Sequence, residues 1–180
     1  MAGGALGLLL GSKSGRKMGG KALTYGGLAV FGTLAYKAYQ NYQKQSSHRF
    51  ANPVLPLEQL PPSEAASHCK VILIALIAAA KADGHIDDHE RQLIDGEVSK
   101  LTTDPSLQQW FDRELKKPLD PAEIAQHATN PAMAAEMYLA SVLTVDQQSF
   151  MEKSYLDELA RQLKIPPALQ TELSLQAQQA

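Results

Sequence analysis

The sequence predicts an all-α protein of about six or seven helices, and three observations support that fold class. The stretch from Val71 to Ala80 is apolar on every side, which suits the central helix of a helical core. Three helix-capping residues, Asp104, Asp120 and Asn130, are each followed by a proline at the first helical position. No alternating pattern of apolar and polar residues is bounded by hairpin turns, so we do not expect strands.

These signals place the helices in order along the chain. Ser63 is expected to cap the helix that contains Val71. Asp120 and Glu123 have the spacing of a reciprocal capping box. The segments after the three capping residues are expected to be helical over 105–116, 121–129 and 131–144, followed by helices over 147–164 and from about Pro167. The short connections favour mostly antiparallel neighbours.

The composition fits one folded domain with an appendage. The chain has 180 residues, of which 44% are hydrophobic and 20% charged, and its net charge is -2. That balance argues against disorder of the whole chain and provides no basic surface for nucleic acid. Cys69 is the single cysteine, which excludes an intramolecular disulfide and a multi-cysteine zinc site. We expect Cys69 to be a small buried residue rather than a nucleophile.

The chain divides into three segments by composition. Residues 1–45 hold most of the glycines and no acidic residue, and residues 46–62 contain four of the ten prolines. The first segment is therefore predicted to be separate, the second to be a linker, and residues 63–180 to form the helical domain.

The N-terminal segment is predicted to be directed to a membrane. Fifteen uncharged residues lie between Lys21 and Lys37, shorter than the roughly 20 of a typical span, and snorkelling of the two lysines would extend them to a helix over about 22–40. A secretory signal, an interfacial or partner-packing helix, and a soluble or disordered tail are the alternatives. The expected location is the bacterial inner membrane, by a single pass or peripherally, with the side of the domain left open.

Small residues in this segment suggest a second use for it. Ala22, Gly26, Ala29 and Thr33 share one helix face, which would let another helix approach closely. A structural adaptor that forms homo-oligomers through this face is therefore one alternative function.

The densest functional signal is the sequence KADGHIDDHE at 81–90, where one helix is expected to stop and another to start. Asp83, Gly84, Ile86, Asp87 and Glu90 match the second half of a calcium-binding helix–loop–helix. The first half is missing, because Ala79 and Lys81 stand where carboxylates belong. A plain helix–turn–helix with a capping box is the competing interpretation. The pattern indicates a weak divalent cation site, for calcium or magnesium, or a site for a basic partner.

A second acidic turn resembles the first. Asp146 and Glu152 follow another small and apolar helix, with a spacing of six rather than seven residues and without the glycine. If the two helical halves pack with approximate two-fold symmetry, Asp146 and Glu152 face Asp83 and Glu90. Capping of the next helix by Asp146 is an equally good explanation. His85 and His89 could instead ligate a transition metal.

These motifs carry a family resemblance. The runs LIALIAAAKADGHIDDHERQLI and SVLTVDQQSFMEKSYLDELARQLKIP, with KALTYGGLAVFGTLAYKAYQNYQ, closely resemble a bacterial family of unknown function typified by the inner-membrane protein YebE. That family is similar to the TerB-like domains of tellurite-resistance proteins. The resemblance implies an all-α bundle with pseudo-symmetric halves and an acidic centre that binds divalent cations. Asp83, Asp87 and Glu90 match its first acidic motif, and Asp146 with Glu152 match the second.

We expect a non-enzymatic, membrane-tethered module that binds a divalent cation or a protein partner through its acidic turn, in envelope stress or metal-ion response. No catalytic set of side chains is recognisable, and no cofactor other than the cation is expected. A metal-dependent hydrolase that uses the same carboxylates is the alternative from another class.

Overall fold

The computed structural model describes residues 26–45, 62–82, 104–145 and 149–178 of the chain, and this part is all helical. It contains seven α-helices and no strand, which confirms the predicted fold class. The helices are α1 (Gly26–Gln45), α2 (Pro62–Ala80), α3 (Pro105–Lys116), α4 (Pro121–Ala125), α5 (Pro131–Thr144), α6 (Phe150–Gln162) and α7 (Pro167–Gln178).

The three predicted helix starts are confirmed at the level of single hydrogen bonds. The side chains of Asp104, Asp120 and Asn130 accept from the backbone N–H groups of Ser106, Ala122 and Met133, which have no partner within their helices. The proline after each one has no N–H to leave unsatisfied. The reciprocal half of the capping box is replaced, because Glu123 accepts from Lys117 Nζ at 3.4 Å.

Two other predicted helix starts are corrected. Helix α2 begins at Pro62, so Ser63 lies inside the helix rather than at its cap. Helix α6 begins at Phe150, and its cap is Ser149, whose hydroxyl accepts from the N–H of Met151. Capping of α6 by Asp146 is therefore wrong, because the helix starts three residues later than that interpretation requires.

Helix α5 lies at the centre of the helical body. It packs against α1, α2, α6 and α7, and every residue from Met133 to Val142 is buried. The predicted core stretch of α2 is confirmed, since Ile72, Ala75 and Leu76 are at most 2% exposed. A second, smaller cluster joins α3 to α2 through Ile77 and Leu115, with Trp110 and Phe111 partly buried around them.

Helices α2 and α5 run antiparallel. His68 in the first half of α2 contacts Glu136 in the first half of α5, whereas the end of α2 lies beside Ile124 and His127, which precede α5. Ala80 and Thr144 lie twelve and eight residues beyond the contact. At about 1.5 Å per residue, these ends are about 18 and 12 Å from the contact, in opposite directions. The two helices that lead into the acidic motifs therefore end far apart.

Helix α1 packs against other helices of the protein instead of forming the predicted membrane helix. Ala35, Ala38 and Tyr39 of α1 are at most 7% exposed and lie in the same core as α5 and α7. Among the described helices, none combines the length and the apolar character that crossing a bilayer requires. That finding overturns the predicted inner-membrane location.

The small-residue face of α1 is likewise not its packing face where the structure describes it. Thr33 is exposed, whereas Gly32, Ala35 and Tyr39 lie on the side that contacts the helical body. Ala22 and the side chains of Gly26 and Ala29 lie outside the described residues. The face of α1 that contacts the other helices, with Gly32 on it, is thus one residue away from the predicted face, with Thr33 on it.

Candidate functional site

The predicted metal ligands fall mostly outside the described residues. Asp83, Asp87, Glu90 and Asp146 lie there, as do His85 and His89. Glu152 is described: it is half-buried in the first turn of α6, where a carboxylate interacts favourably with the helix dipole. In ranges 26–45, 62–82, 104–145 and 149–178, no three side chains of His, Cys, Asp or Glu are grouped to hold a metal. The convergence of the two acidic motifs stays a prediction.

Lys81, the first residue of the KADGHIDDHE sequence, binds the end of another helix. Its Nζ donates to the carbonyl oxygen of Glu114 at 3.1 Å and to that of Lys117 at 2.8 Å. Carbonyl groups at a helix C-terminus have no partner inside the helix and carry the negative end of its dipole, so an ammonium group stabilises them. Lys81 therefore fixes the end of α2 to the end of α3.

The positions that lack carboxylates are thus occupied for structural reasons. Ala79 is 3% exposed and packs in the core, and Lys81 caps α3. A cation bound by the residues after them would receive no ligand from either position. Ala79 and Lys81 differ from the carboxylates of a calcium-binding loop, and the packing of α2 against its neighbours accounts for both residues.

A narrow cleft adjoins Lys81, between α2 and the segment from Glu114 to His127. Burial lowers the pKa of Lys81, and the nearby Glu114 carboxylate opposes that effect. Lys117 forms ion pairs with Glu114 at 3.0 Å and Glu123 at 3.4 Å, and the hydrogen bond to Glu114 raises its pKa. The cleft has a volume of about 20 Å³, enough for a water molecule.

A part-buried hydrogen-bonded pair, His68 and Glu136, joins α2 to α5. His68 Nε2 lies 2.7 Å from Glu136 Oε2, and the two side chains are 12% and 4% exposed. No motif in the sequence identifies this pair. A signal was present, because Glu136 interrupts the otherwise apolar segment MAAEMYLASVL, and a carboxylate on a core helix needs a partner. The sequence could not identify which of five histidines supplies it.

Helix α1 covers this pair at Gly32. A Cβ atom at Gly32 would lie 3.7 Å from Oε2 of Glu136, so the backbone of α1 passes directly over the carboxylate. Cys69 follows His68 and is half-buried rather than buried as predicted. Burial and the charge of Glu136 raise the pKa of its thiol, which keeps it protonated and weakly reactive.

Two large apolar side chains stand out at the start of α6. Phe150 is 81% exposed and Met151 is 57% exposed, next to the acidic Glu152. Leu156 and Leu159 further along α6 and Leu163 at its C-cap are buried, which confirms the predicted core face. The first turn of α6 therefore presents an apolar and acidic surface outside the helical core.

Comparison with known proteins places almost the whole chain in one family. Residues 1–177 match the family model described as "Protein of unknown function (DUF533)". One similar protein is the "Uncharacterized protein in ampR 5'region" of Yersinia enterocolitica, 30% identical over 127 residues, which cover 71% of this chain and 84% of that protein. No solved structure matches the chain significantly.

Proposed function

Since the chain belongs to the DUF533 family, whose function is unknown, we propose a role from its own residues: a non-enzymatic module that binds a divalent cation or a protein partner. The binding element of the proposal is the acidic segment that begins at Asp83. Its physiological setting would be envelope stress or metal-ion response.

The observation that carries the proposal is the charge imbalance after Lys81. Four carboxylates, Asp83, Asp87, Asp88 and Glu90, stand within eight residues without a lysine or arginine among them. The nearest cation on their N-terminal side, Lys81, is committed to the carbonyl groups at the end of α3. Mutual repulsion between carboxylates favours a bound cation or a basic partner.

The chemistry of the segment favours a hard cation. Carboxylate oxygens suit calcium and magnesium, and Asp83, Asp87 and Glu90 are the proposed ligands, with water in the remaining positions. Asp146 and Glu152 form the second proposed motif. Because α2 and α5 end in opposite directions, the experiment tests the two motifs separately.

Calorimetric titration of the full chain with calcium, magnesium, manganese and zinc chlorides tests the cation part of this proposal. We expect heat of binding for calcium or magnesium, and Asp83→Asn should weaken it by about tenfold or more, because the affinity follows the number of charged ligands. Glu152→Gln tests the second motif in the same way. Asp112→Asn, which changes an exposed carboxylate on α3, is the matched control.

Heats equal to the dilution blank for all four metals would remove the cation from the proposal. Equal affinities of the wild type and Asp83→Asn, with a loss in Glu152→Gln, would move the site to the start of α6.

The exposed side chains of α6 favour a protein partner as the second candidate. Phe150 and Met151 offer apolar contact area beside Glu152, which suits a partner with apolar and basic residues. A photo-crosslinking residue at Phe150, introduced in the cells that make the protein, should give a discrete product that Met151→Ser abolishes. The same residue at exposed Gln109 on α3 is the control. Identical products at both positions would contradict a specific surface on α6.

The alternative from another class is a metal-dependent hydrolase that uses the same carboxylates. It requires the metal site first, so the titration above tests its premise as well. Hydrolysis of a phosphoester or peptide substrate that depends on the added metal and is lost in Asp83→Asn would favour the enzyme over the binding module.

The finer family placement also belongs to the proposal. A YebE-like chain with a TerB-like bundle would have pseudo-symmetric halves, and the apolar helices α2 and α5, each followed in sequence by an acidic motif, support that arrangement. An experimental structure in which residues 63–104 and 131–165 fail to superpose would contradict the symmetry.

A further inference from the structure

We draw no further inference here: the strongest candidate, the exposed apolar surface of Phe150 and Met151 in the first turn of α6, belongs to the partner site already proposed, and nothing among the described residues shows what covers it.

Discussion

Lys81 shows how one side chain can explain a departure from a known motif. The sequence places it where a calcium-binding loop has a ligand, and the structure shows that it caps α3 instead. Its two acceptors lie 33 and 36 residues away in sequence. The role of Lys81 thus depends on how α3 packs against α2, which its local sequence does not specify.

Lys81→Met should destabilise the protein by about 1 to 3 kcal/mol, because it removes two charge-assisted hydrogen bonds and keeps the apolar stem of the side chain. Urea unfolding followed by the fluorescence of Trp110, the single tryptophan, measures the change on α3 itself. Lys116→Met is the control, since the Lys116–Asp112 pair is exposed and should contribute less than about 1 kcal/mol. Equal losses in both variants would contradict the capping role.

His68 and Glu136 are the other residues whose importance only the structure reveals. They lie 68 positions apart, and neither belongs to a recognisable motif. A buried carboxylate requires a partner, and that rule predicts that one exists without saying where along the chain it is.

At the scale of elements, helix starts were the most predictable feature. Helices α3 and α5 have the predicted bounds, because a capping residue followed by proline satisfies or removes the free N–H groups within a few residues of sequence. Helix α4 is shorter than predicted and ends at Ala125, since no comparable signal marks its end. Helix α6 closes with Lys164 in the left-handed region, at a φ of 56°, and Ile165 N–H donates to the carbonyl of Ala160.

Asn130→Ala should destabilise α5 and the whole protein by about 0.5 to 2 kcal/mol, because the N–H of Met133 loses its acceptor at the start of the central helix. Asn130→Asp keeps an acceptor at that position and should stay close to wild type. Thermal unfolding followed by circular dichroism compares the two variants. A larger loss in Asn130→Asp than in Asn130→Ala would contradict the capping explanation.

The apolar pattern of the N-terminal helix α1 predicts burial without specifying what buries it. The uncharged run before Lys37 predicts a helix that avoids water. Ala35 of that run is buried in α1, as are Ala38 and Tyr39 just after Lys37. The same apolar side chains are satisfied by lipid or by protein, since both remove them from water. The pattern therefore predicts burial but not its medium.

At the scale of the whole molecule, the buried tyrosines should make the free energy of unfolding fall at alkaline pH. Burial raises the pKa of Tyr155 to about 12, and the neighbouring Ser141 slightly opposes the effect, although its hydroxyl donates to the carbonyl of Met137. The hydroxyl of Tyr155 has no hydrogen-bond partner among the described residues. A phenolate at this position would be a buried charge without compensation.

The stability that Tyr155 contributes is full below its unfolded pKa, near 10, and is lost as the pH rises toward 12. The loss should reach about 2 to 3 kcal/mol over that range. Tyr155→Phe should therefore show a shallower decline in the free energy of unfolding between pH 10 and 12. Exposed Tyr36→Phe is the control and should follow the wild type. A wild-type slope in Tyr155→Phe would contradict the assigned cause.

The sequence by itself determined the helical class, the core stretch of α2, the bounds of α3 and α5 and the leucine face of α6. These features depend on helical periodicity and capping, which act over a few residues. Only the tertiary structure decided that α1 packs into the body, that Lys81 caps α3 and that Glu136 pairs with His68 beneath Gly32. Each of those contacts joins residues distant along the chain, and burial of apolar surface, which brings them together, has no direction of its own.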